Sequence, residues 1–85
     1  MPDSASDPAV TLDVVDLKCP LPVLKARKVL AGLAPGALLE VLASDPGAPQ
    51  DFAAFCQASG HLLIGQSAAA SGVQRFLIRK AAEGR

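Results

Sequence analysis

The stretch TLDVVDLKCPLPVLKARKVL, residues 11–30, decides the fold. Thr11 to Val15 alternates, with Leu12 and Val14 on one face, and reads as a strand. Asp16-Leu17-Lys18 is a short connection. From Pro20 to about Leu33 the period changes. At about 100° per residue, Val23, Ala26, Val29, Leu30 and Leu33 gather on one side, which predicts a helix with that side to the core. Pro20 suits the first helical position, where its missing N–H costs nothing, and Pro22 falls in the same first turn, away from the helix interior. Ala34-Pro35-Gly36 stops the helix.

Outward from this stretch the same devices recur. Ala37 to Ala43 is an apolar, partly β-branched run broken by Glu40 and reads as a second strand. Ser44-Asp45-Pro46-Gly47 is a turn. A second helix is predicted from Ala48 or Pro49 to Ser59, ended by Gly60. His61 to about Ser67 reads as a third strand, Ala70-Ser71-Gly72 as a hairpin loop, and Val73 to Lys80 as a fourth strand. Helical crossovers imply parallel pairing first, and the terminal hairpin adds an antiparallel strand. The expected architecture is a two-layer α/β (α+β) sandwich, β-α-β-α-β-β, with both helices on one face of a four-stranded sheet. Met1 to Ala9, rich in Asp, Ser and Pro, reads as a disordered lead-in, and residues 10–82 as a single domain.

Composition narrows the function. Eighty-five residues support one core but no deep substrate pocket. Eight basic residues balance eight acidic ones, which argues against direct nucleic-acid binding. No apolar run approaches the roughly 20 residues that span a bilayer, and no signal peptide is visible, so a reducing, cytoplasmic setting is expected. Two cysteines far apart in sequence match neither a zinc site nor a CxxC redox pair, and a disulfide between them is not expected in that compartment.

Cys19 is the residue with chemistry to offer. It sits at the expected N-cap, where unpaired N–H groups and the positive end of the helix dipole favour an anion, so its thiol pKa is expected to fall. Lys18 adjoins it, and Lys25 and Lys28 add positive field on the same helix. It also follows the carboxyl end of the first strand, where ligands of open α/β sheets gather. The alternative is that Cys19 is a small apolar cap residue, as free cysteines often are.

The chain resembles the TusA (SirA-like) sulfur-carrier family from Leu12 to Lys80. The resemblance rests on Leu12-Asp13 and on Leu17-Lys18-Cys19-Pro20-Leu21-Pro22-Val23, which is similar to that family's Cys-Pro-x-Pro motif. It continues in Ser44-Asp45-Pro46, Phe55-Cys56, Gly60-His61 and Phe76-Leu77-Ile78-Arg79-Lys80. It implies a sheet of order 1-2-4-3 and a persulfide relay. In that relay Cys19 takes a sulfane sulfur from a cysteine desulfurase or rhodanese-like donor and delivers it to an acceptor. The family's end uses are tRNA thiolation, molybdenum-cofactor maturation and sulfur metabolism. No cofactor is expected, because the donor enzyme supplies the hard chemistry, and a monomer is expected. The chain departs from the family at Val15 and Asp16, where a basic residue and a glycine are usual. Asp16 places a negative charge near Cys19 and bears on which partner docks.

Other residues carry weaker signals. Cys56 shares a helix face with Phe52, Phe55 and Ser59 and is expected in the core, with a resolving thiol as the alternative. Asp45 follows the second strand as Cys19 follows the first; it reads as a turn or capping aspartate that organises the loop, and as a poor thiol activator. Leu21, Leu24, Lys25 and Lys28 fall within a stripe about 100° wide, which suits partner docking as well as it suits an ordinary solvated face. Arg75 and Arg79 alternate opposite Phe76 and Ile78, compatible with a partner, RNA or solvent. His61 lacks a second ligand nearby, so metal binding is not expected. Against the sulfur carrier stand a non-catalytic interaction module docking through the first helix and a thiol-redox protein using Cys19 and Cys56.

Overall fold

The structure, a computed structural model, describes residues 8–81. Met1 to Asp7, most of the expected lead-in, and Ala82, the last residue of the expected domain, lie outside the described residues. The elements are β1 (Val10–Val14), α1 (Leu21–Ala31), β2 (Leu38–Ala43), α2 (Ala48–Ser59), β3 (Leu62–Ala70) and β4 (Val73–Arg79). The sheet order is β1-β2-β4-β3, with β1 parallel to β2 and β4 antiparallel to both its neighbours. This is the expected α+β sandwich and strand order. Pairing reaches slightly upstream of β1, where the Ala9 N–H donates to the Leu38 carbonyl at 2.7 Å.

Register explains which side each residue faces. Val10, Leu12 and Val14 pair with Leu39, Val41 and Ala43, and these with Ile78, Phe76 and Gln74. Because successive side chains alternate, this row forms the face that meets the helices. Ala26 and Leu30 of α1 and Phe52 and Cys56 of α2 complete the core, with Val23, Val29 and Leu33 partly buried against it. The opposite face is polar at its centre. Glu40 accepts a hydrogen bond from the Thr11 hydroxyl at 2.7 Å and pairs with the Arg75 guanidinium; the Thr11 hydrogen bond first, and Arg75 after it, hold its carboxyl below the usual range. Arg79 Nη1 donates to the Gly36 carbonyl at 2.9 Å, so both arginines of that face have partners within the chain.

Most strand ends shift by a single residue from the sequence reading, and three boundaries carry a physical reason. α1 begins at Leu21 with Pro20 at the N-cap, not with Pro20 as its first residue. It ends at Ala31 rather than near Leu33, and Lys80 Nζ donates to the Leu33 carbonyl at 2.6 Å, next to that helix end. β3 runs on to Ala70, where a Ser67 end and a longer hairpin were expected. Ala68 and Ala70 pair with Gln74 and Val73 across a two-residue turn, so cross-strand pairing overrides the weak strand preference of alanine. Gly60 closes α2 in a left-handed conformation at φ 87°, donating to the Cys56 carbonyl. At Gly65 a Cβ would lie 3.2 Å from the Leu77 side chain.

Candidate functional site

The connection from β1 to α1 carries Cys19, and backbone contacts fix it step by step. Asp13 Oδ1 accepts the Val15 N–H at 3.0 Å, and Leu17 donates to the Val14 carbonyl. The Asp16 N–H donates to Ser44 Oγ at 2.8 Å, tying this loop to the one after β2. Asp16 itself sits at φ 75°, in the left-handed region. Glycine enters that region freely and aspartate at a cost of roughly 1–2 kcal/mol. The resemblance noted a family glycine at this position, and the backbone supplies the reason for it.

Cys19 is exposed and lies before the N-cap, not at it. That shift of one residue changes the electrostatics. Pro20 and Pro22 have no N–H, and the Leu21 N–H donates to the Lys18 carbonyl at 2.8 Å. Three of the four donors that a helix start ordinarily offers an anion are therefore absent or taken up. The thiol pKa is raised, not lowered. The chief cause is hydrogen bonding to the Asp51 carboxylate, followed by desolvation and by the negative charges of Asp51 and Asp45. The expectation of a thiolate stabilised by the helix start is thus corrected, because the prolines remove the donors and a carboxylate faces the sulfur.

Asp51 is the residue that sequence reasoning missed. It lies in the first turn of α2, and with Cys19, Pro20, Val23, Ala54 and Phe55 it lines a groove of about 360 Å³ between the starts of the two helices. The wall is otherwise apolar. A second cleft of about 120 Å³ is lined by Asp16, Leu17, Lys18, Ser44, Asp45 and Pro46. An acidic residue in the first turn of a helix that starts at the same sheet edge as Cys19 was a readable signal. Only the packing of α1 beside α2 gave it a partner.

The other expected residues are distributed as follows. Lys18 lines the smaller cleft, whereas Lys25 and Lys28 line neither and are exposed on α1. Leu21 and Leu24 are 45% and 48% exposed. Pro22 is buried. Asp45 Oδ2 accepts the Gly47 N–H at 2.9 Å, and the Asp45 carbonyl accepts the Ala48 N–H, so this residue shapes the entry to α2. Cys56 is 5% exposed and burial pushes its thiol up to about 11. His61 Nδ1 accepts the Ala81 N–H at 2.9 Å and its ring lies 5.7 Å from that of Phe55. Among the described residues no three His, Cys, Asp or Glu side chains are grouped to hold a metal ion, and no helix is long and apolar enough to cross a membrane.

The chain is similar to known proteins along most of its length. The family model described as sulfurtransferase TusA matches residues 10–80. Sulfur carrier protein TusA of Allochromatium vinosum is 44% identical over 69 residues, covering 81% of this chain and 90% of that protein. A candidate sulfur carrier of Neisseria meningitidis serogroup A is 58% identical over 57 residues, covering 67% of this chain and 77% of that one. The crystal structure of a SirA-like protein from Desulfitobacterium hafniense superposes with a TM-score of 0.74 at 26% identity, covering 85% of this chain and 97% of that one. A match that runs from the first residue of β1 to the residue after β4, with relatives that agree along most of their lengths, leaves one assignment: the chain belongs to the TusA sulfurtransferase family.

Proposed function

We propose that this protein is a sulfur carrier that holds a sulfane sulfur as a persulfide on Cys19. The observation that carries the reading is the contrast between the two thiols. Cys19 is exposed at the mouth of a groove, on a loop tied down by hydrogen bonds, and Cys56 is buried in the core. In the transfer, Cys19 sulfur attacks the outer sulfur of a donor persulfide. The donor's S–S bond breaks, its inner sulfur leaves as a thiol with the proton that Cys19 gives up, and the new S–S bond is on Cys19. No external oxidant or reductant is needed. Delivery to an acceptor is the same exchange in reverse roles.

The donor is a cysteine desulfurase or a rhodanese-like protein, and the acceptor is a downstream protein of tRNA thiolation, molybdenum-cofactor maturation or sulfur metabolism. Incubation with a desulfurase and cysteine is expected to add the mass of one sulfur atom, removable by reductant. No adduct with desulfurase or rhodanese-type donors would overturn the carrier and leave a non-catalytic interaction module. A mass loss matching an internal disulfide would point to thiol redox chemistry instead.

Donor docking falls to the exposed stripe of Leu21, Leu24, Lys25 and Lys28, which begins two residues after Cys19. Exposed leucines at helical spacing supply apolar anchors, and the lysines suit an acidic partner surface. The double variant Leu21→Asp/Leu24→Asp is expected to slow loading from a donor protein about tenfold or more, as for loss of an interface anchor. The slowing is measured relative to loading from inorganic polysulfide, which bypasses docking. Equal rates of protein-mediated loading in parent and variant would remove this face from the interface.

A further inference from the structure

Asp51 shares the groove with Cys19 and, among the described residues, is the only charged one lining it. Pro20, Val23, Ala54 and Phe55 form the remaining wall, so the carboxylate has the thiol as its nearby polar neighbour there. The charged groups around the sulfur come from three elements. Asp51 faces it from the first turn of α2, Asp45 acts on it from the loop after β2, and Lys18 precedes it in the chain. Asp45 has its Oδ2 engaged with the Gly47 N–H, and Lys18 lines the neighbouring cleft with Asp16 and Asp45. Asp51 is thus the charged side chain that shares an otherwise apolar groove with the Cys19 thiol.

We infer that Asp51 is a positioning residue that holds the unloaded Cys19 as an S–H donor, so that the free carrier reacts slowly with small sulfur species and takes sulfur efficiently only from a docked donor. This rests on the carrier reading above. The thiolate is the nucleophile, and a carboxylate that accepts a hydrogen bond from the intact S–H and repels negative charge keeps that form scarce. A carrier needs such restraint because its thiol is exposed. The direction of the Cys19 pKa agrees with the geometry. The restraint acts on the proton alone. When a donor persulfide is attacked, the proton passes to the donor's departing sulfur, and the Asp51 carboxylate is unchanged at the end of the step.

The test uses the full chain with Cys56→Ser, so that Cys19 is the sole thiol. Asp51→Asn and Asp51→Ser remove the carboxylate and suit a helix first turn, and Asp51→Glu keeps it. Iodoacetamide alkylation followed against pH is expected to shift its midpoint downward in the Asn and Ser variants. Its rate at pH 7.5 rises about threefold or more, the gain in thiolate being partly offset by the lower nucleophilicity of a less basic sulfur. Loading from inorganic polysulfide rises in parallel, and the Glu variant keeps the parent profile. Asp45→Asn produces a smaller shift. An unchanged pH profile and unchanged polysulfide loading in both the Asn and Ser variants would overturn the role of Asp51 while leaving the carrier standing. Failure of the parent to load from any donor would overturn the carrier, yet the alkylation profiles would still report on Asp51.

Discussion

Cys19→Ser is expected to abolish sulfur loading, and Cys56→Ser to leave it within about twofold of the parent, because only an accessible thiol can become the thiolate that attacks sulfur. A serine hydroxyl is a far weaker acid than a thiol, and a carboxylate such as Asp51 in the groove is too weak a base to ionise it, so the variant has no route around the lost sulfur. Cys56 is no substitute. It is enclosed by the core, and with its thiol pushed up to about 11 it is seldom ionised near neutral pH. At such a value the thiolate fraction at pH 7 is on the order of one in ten thousand. Intact mass after treatment with a desulfurase and cysteine reads the result directly. Persistence of the sulfur adduct in Cys19→Ser, or its disappearance in Cys56→Ser with unchanged folding, would reassign the carrier residue.

Phe52→Ala is expected to remove a large part of the stability of the chain. The Phe52 side chain is fully buried, and its ring centroid lies 4.9 Å from that of Phe76 at an interplanar angle of 33°. It is the point where α2 is fastened to the middle of the sheet, because Phe76 pairs with Val41 on one side and Gln66 on the other. Truncations of this kind cost about 3–5 kcal/mol, which combines lost burial with the cavity left behind. Small domains have only about 5–15 kcal/mol in hand, so the variant approaches or crosses the folding threshold. A fall in the melting temperature of roughly 15 °C or more is expected, or loss of the cooperative transition altogether. Urea melts read by circular dichroism give the same quantity. A loss below about 1 kcal/mol would mean that the site collapses around the gap and that Phe52 does not anchor the layer.

Much of this was legible from one stretch of chain. The change of period between Val14 and Val23 fixed the first strand and helix, and the Cys-Pro-Leu-Pro segment marked the residue on which the proposed chemistry rests. The order of the elements and the mixed pairing followed from crossover lengths and the terminal hairpin. Cys56 was placed in the core by its spacing from Phe52, and the structure buries both. What remained hidden was tertiary. Asp51 carries no local signal that ties it to Cys19, since the two meet only when α1 and α2 lie side by side. The sign of the Cys19 shift was misread for a related reason. A helix start was treated as a full set of donors, and a one-residue displacement of the N-cap together with two prolines dismantles that set. Asp16 drew notice for its charge, but the thiol responds to Asp51 and Asp45, and the mark of Asp16 in the structure is its backbone conformation.

The two prolines that open α1 have a consequence for reversibility. A ferry between two thiols works best when the exchange is nearly thermoneutral in both directions. A hydrogen bond to a charged group is worth about 1.5–3 kcal/mol, so each amide aimed at a persulfide anion would bias the equilibrium toward retention by about ten- to hundredfold. A full cradle of such amides would turn the carrier into a sink. In the proposed carrier, the absence of those contacts at Pro20 and Pro22 would leave a persulfide on Cys19 weakly held, with the direction of flow set by the proteins at either end.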